Sequence, residues 1–101
     1  MRENSGRIEK RIVVSLPIEV ASLQDPASSE RTLTENVSPL GVRALLRRAR
    51  GRNERVIVTS LASNEQAPAR VVYCQRLSGG GFAVGLEFQG TFPEWPQGAA
   101  D

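Results

Sequence analysis

Two arginines, Arg7 and Arg11, stand four residues apart in the charged stretch Arg7-Ile8-Glu9-Lys10-Arg11. A guanidinium presents a planar fork of N–H donors that matches two oxygens of a phosphodiester or the O6/N7 edge of guanine. Further along, Asn36-Val37-Ser38-Pro39-Leu40-Gly41 combines a side-chain carbonyl, a hydroxyl and a glycine. The carbonyl and the hydroxyl can accept the N–H donors on the opposite edge of guanine. The glycine permits a positive φ and close approach of backbone to a ligand. Together the two motifs predict a site for a ligand that carries both guanine and phosphate. Singly they read otherwise: Arg7 and Arg11 as a solvated arm pairing with Glu3 and Glu9, residues 36–41 as a turn between strands.

The rest of the chemistry is sparse. The chain has no histidine, which removes the commonest general base and metal ligand. No Cys, Asp and Glu cluster has the spacing of a metal site, so neither a metal nor a catalytic residue is expected. The single cysteine, Cys74, follows Val71-Val72-Tyr73 and reads as a buried, inert thiol. Twelve of the thirteen basic residues are arginine, a bias that suits phosphate and guanine recognition but that a GC-rich genome also produces. Between Arg43 and Arg55 there are six arginines and one acid, Glu54, so binding to a polyanion is a further option.

These residues need a scaffold. At 101 residues the chain has room for one modest core, and with 5% aromatics that core must be mostly aliphatic. No apolar run is long enough for a membrane-spanning helix, and the first residues are polar, so a cytoplasmic location is expected. Residues 1–11 read as a flexible basic arm. Strands are expected over 11–20, with Pro17 at an edge or bulge, and over 31–35, 42–46, 55–61, 69–74 and 82–88. Residues 43–50 have strong helix propensity, yet the flanking strands favour a strand ending in an Arg-rich turn at Gly51-Arg52-Asn53; both options stay open. Ser78-Gly79-Gly80-Gly81 predicts a hairpin turn. Phe92-Pro93-Glu94-Trp95-Pro96 cannot sustain a helix, and Trp95 is expected to pack back on the barrel. Short strands at this spacing point to a small all-β barrel or sandwich.

The arrangement resembles the PilZ domain family, which carries two arginines with three residues between them, followed by Asp/Asn-x-Ser-x-x-Gly. Arg7 and Arg11 match the first motif, and Asn36, Ser38 and Gly41 match the second. Residues 11–20 look like that family's first strand, Ala69-Arg70-Val71-Val72-Tyr73 is similar to a late strand, and Phe82-Ala83-Val84-Gly85-Leu86-Glu87-Phe88 to its closing strand. The resemblance implies a six-stranded antiparallel β-barrel of split-barrel type that binds cyclic di-GMP and has no catalytic activity. Its implied division is a basic arm over 1–11, a barrel over 12–92 and a short tail over 93–101. Arg7 and Arg11 would act as a clamp, Asn36 and Ser38 as guanine readers and Gly41 as the permissive turn. Gly6, Lys10 and Arg43 lie beside these motifs and are further candidates. Two residues depart from the pattern. Pro39 stiffens the turn, and Gly6 stands where members holding a stacked ligand dimer carry a basic residue.

The reading therefore expects a second-messenger receptor with a protein effector downstream, as a monomer or homodimer. The alternative is an interaction adaptor of the same fold that binds no nucleotide. Nucleic acid is a third and less favoured partner, since few aromatics are present for base stacking. An enzyme is least favoured, since no nucleophile–base pairing is visible.

Overall fold

The computed structural model describes residues 11–90. Residues 1–10 of the arm, with Gly6, Arg7 and Lys10, and the tail with Trp95 lie outside the described residues. Six strands account for most of the rest: β1 Pro17–Ser22, β2 Glu30–Val37, β3 Gly41–Leu46, β4 Arg55–Ser60, β5 Gln66–Arg76 and β6 Phe82–Phe88. All neighbours are antiparallel, in the closed order β1-β2-β3-β6-β5-β4. The only helical element among the described residues is one 3-10 turn, Pro26–Ser28, so no helix there is long and apolar enough to cross a membrane. The expected all-β six-stranded barrel is what forms.

Composition explains how this barrel is filled. Ile18, Val20, Val42, Ala44, Val56, Val58, Ala69, Val71 and Val84 are at most 1% exposed. A six-stranded barrel has a narrow interior, and branched or small side chains fill it without large rings. Phe88 closes one part of the core and Phe82 packs against it half-buried. β6 shows the expected in-facing set Phe82, Val84, Leu86 and Phe88.

Residues 43–46 belong to β3, and the Arg-rich turn follows, with Asn53 at a φ of 71°. Tertiary pairing of Val42 with Leu86 and Ala44 with Val84 overrides the local helix propensity. In the β5–β6 hairpin, Gly80 and Gly81 take φ values of 105° and 77°, which side chains there would resist.

The first expected strand is shorter than its sequence suggests. It begins at Pro17, and ahead of it only Ile12 makes an isolated bridge, to Val37. The reason is Thr34. Its hydroxyl donates to the Val14 carbonyl at 2.6 Å and accepts from the Leu16 amide at 2.9 Å, taking groups that a continued ladder would use. Pro17 needs neither edge nor bulge, because the first residue of a strand tolerates a missing N–H. Thr34 is 2% exposed, so Thr34→Val strips its partner from the buried Leu16 amide and the half-buried Val14 carbonyl. We expect a loss of about 2–3 kcal/mol, read as a lower urea midpoint with an unchanged denaturant slope.

Candidate functional site

Two β-bulges shape the outer face of the barrel. One lies on β2 between Thr34 and Asn36, where the pairing with β3 slips past Glu35. The other lies on β5 between Val71 and Tyr73, where the pairing with β6 slips past Val72. A bulge reverses the in–out alternation beyond it and re-aims a side chain. Thr34 and Val71 face the core; under strict alternation Asn36 and Tyr73 would follow them inward, but both turn outward. The bulges flank one cross-strand pair. Asn36 lies opposite Arg43, Arg43 opposite Gly85, and Gly85 opposite Tyr73. Four strands thus contribute to one row across the barrel wall.

The row is tied together chemically. The Arg43 Nε donates to Glu35 at 2.6 Å, and its Nη1 donates to the Tyr73 hydroxyl at 2.9 Å. The Arg43 guanidinium carbon also sits 5.7 Å from the Tyr73 ring centroid. The bond to Glu35, then that to Tyr73, holds the Arg43 guanidinium above its ordinary range, so it stays cationic at any working pH. Tyr73 lies across Gly85, whose missing side chain makes room: an added Cβ would run into the ring. From the other side Arg11 reaches the row, its Nη1 donating to Asn36 Oδ1 at 2.6 Å.

A second row runs parallel through Gly41, Glu87, Arg70 and Arg55. Arg70 there bonds Glu87 at 2.5 Å and Asn53 at 2.7 Å. Between the rows lies an open pocket of about 150 Å³, bordered by Arg11, Leu40, Gly41, Tyr73, Gly85 and Glu87.

Of the expected site residues, Arg11 and Gly41 border the pocket and Asn36 and Arg43 lie in the adjoining row, Asn36 bonded to Arg11; Arg7, Gly6 and Lys10 lie outside the described residues. Two roles differ from those expected. Gly41 has no positive φ; it is needed because a Cβ would stand 2.5 Å from the Leu86 carbonyl oxygen of the neighbouring strand. Gly41→Ala must push β3 and β6 apart, and we expect a cost on the order of 1–3 kcal/mol, measured as a fall in Tm. Ser38 is 1% exposed and builds the β2–β3 turn: its hydroxyl accepts from the Leu40 amide at 3.2 Å and the Gly41 amide at 3.1 Å. The spacing of Tyr73 and Glu35 does not mark them as site residues, and the aromatic that ends the strand-like run 69–73 is the one sequence signal for Tyr73. Cys74, beyond the β5 bulge, packs half-buried against the core, and its sulfur accepts from the Arg50 amide at 3.4 Å.

This architecture has a solved counterpart. The structure of Bacillus subtilis Inhibitor of motility (MotI/DgrA), a PilZ-domain protein, matches 97% of this chain with a TM-score of 0.71 and 16% identity. The barrel is PilZ-like. The match spans 47% of that protein, so the present chain corresponds to about half its length. At this identity the likeness establishes the fold alone. No family model and no curated protein matches the chain. On a PilZ-like barrel the row through Asn36, Arg43 and Tyr73 lies on the outer wall, with Arg11 arriving from the segment ahead of β1.

Proposed function

We propose that this PilZ-like barrel is a receptor for cyclic di-GMP, with no catalytic role, working in the cytoplasm through a protein effector. The observation that carries the reading is the Arg11–Asn36 pair at the edge of the pocket that Tyr73 and Gly85 border. Arg11 supplies a fork for a phosphodiester or the O6/N7 edge of guanine, and the Asn36 carbonyl an acceptor for the opposite edge. Arg43 adds a permanent cation to the same wall, and Tyr73 an aromatic face. Arg7, four residues ahead of Arg11, completes the cationic pair on grounds of sequence. The ligand carries two guanines and two phosphodiesters, so donors, acceptors and cations each have a counterpart.

The test is a calorimetric titration with cyclic di-GMP, with GTP and cyclic GMP as controls. The expected result is saturable binding at micromolar or tighter affinity for the cyclic dinucleotide alone. No heat, together with no amide NMR shift at millimolar protein, overturns the reading. A second reading, a protein-interaction adaptor that binds no nucleotide, draws support from one observation: the Ser38 hydroxyl is built into its own turn. It predicts that Arg11 and Asn36 can be replaced with no change in partner capture.

A further inference from the structure

Four arginines of the barrel are already held in ion pairs. Arg31 meets Glu19, Arg43 meets Glu35, Arg50 meets Glu30 and Glu54, and Arg70 meets Glu87. Arg47, Arg48, Arg52 and Arg55 are different: all four are exposed, and none has an ion-pair partner among the described residues. They cluster on residues 47–55, the segment that joins β3 to β4 together with the first residue of β4. Arg76 reaches the same end of the barrel, since it lies opposite Phe82, which in turn pairs with Leu46 where β3 enters that segment.

The segment is held from beneath. Glu30 accepts from the Arg47 amide at 2.8 Å and the Arg48 amide at 3.1 Å. The Arg50 side chain, 3% exposed, donates to the Ser28 carbonyl at 2.8 Å and lies between Glu30 and Glu54. Glu54 also accepts from the Gly51 amide at 3.0 Å, and the Asn53 amide donates to the Val71 carbonyl at 2.7 Å. Both carboxylates near the segment are thereby occupied by its interior. The outward cations are left without local neutralisation, on a backbone that is tied down.

We propose that this arginine rim binds the phosphate backbone of double-stranded nucleic acid without reading its sequence. Phosphate contacts need fixed cations and little else, and arginine forks meet phosphate oxygens in pairs. The exposed residues of the segment are Arg47, Arg48, Ala49, Gly51, Arg52, Asn53 and Arg55, with no large apolar side chain. A protein partner would call for aromatic or aliphatic anchors at the centre of the contact, and a membrane surface for apolar groups to insert. Single strands would call for stacking rings, which the segment also lacks. The rim shares none of Arg11, Asn36 or Tyr73, so it stands or falls apart from the cyclic di-GMP reading.

Fluorescence anisotropy with a labelled mixed-sequence DNA or RNA duplex tests this. If four arginines each release a counterion, log K falls with log salt at a slope of about −3.6 on DNA, or about 150-fold between about 50 and 200 mM. Arg47→Gln/Arg48→Gln is expected to halve that slope to about −1.8, with Tm unchanged because both side chains are exposed and unpaired. Arg52→Gln/Arg55→Gln should do the same and guards against a folding defect in the first pair. No binding at the lowest salt overturns the proposal. So does a slope that neither double variant changes, or tighter binding to polyglutamate or to anionic vesicles than to the duplex.

Discussion

Glu30→Gln is expected to lower the unfolding free energy by about 3–5 kcal/mol, the cost of removing one partner from a buried ion pair. Glu30 and Arg50 have side chains 7% and 3% exposed, so water cannot replace what the carboxylate supplies. Three groups lose at once. Arg50 keeps its charge with Glu54 alone to face it, and the amides of Arg47 and Arg48 each lose a charge-assisted bond. Arg50 Nε has no hydrogen-bond partner among the described residues, so the network has nothing in reserve. For a domain of this size such a loss is a large share of the whole stability. Chemical denaturation measures it. Replacing the cation too, as Glu30→Gln/Arg50→Met, should recover part of the loss, because no unpaired buried charge remains. A Glu30→Gln midpoint within error of the parent would contradict this account.

Arg11→Ala and Asn36→Ala are each expected to weaken cyclic di-GMP binding by roughly 10- to 150-fold, the equivalent of about 1.5–3 kcal/mol for one charge-assisted contact. The two should not add fully, since they bond each other at 2.6 Å before any ligand arrives and either change disturbs both. Neither should move Tm much, because Arg11 is exposed and Asn36 half-buried, outside the core. Calorimetry on both single variants and the double completes a cycle whose coupling term measures how far the pair acts as one unit. Full parental affinity in both single variants would remove Arg11 and Asn36 from the site.

Much of the barrel could be read before its structure. The alternation in Phe82–Phe88, the glycine hairpin after Ser78 and the β-branched run Arg55–Ser60 obey local rules that tertiary packing here reinforces. What stayed hidden depends on bulges and on contacts distant in the chain. Reading a strand assumes a period of two, and a bulge breaks it without leaving any mark in residue type. Asn36 stood out only by motif, and the outward turn of Tyr73 follows from Val72 sitting unpaired. The role of Gly41 depends on a carbonyl of Leu86, far along the chain. Arg50 looked like one of six similar arginines, and only the placement of Glu30 and Glu54 beside it marks it as interior.

Closure of the barrel has a consequence in time. Ile18 pairs with Ser60, and Val42 with Leu86, so β1 must wait for β4 and β3 for β6. Each pairing closes a long loop before its contacts repay the lost chain entropy. Folding is therefore dominated by distant partners, which places this small protein among the slow folders, on a scale of milliseconds to seconds.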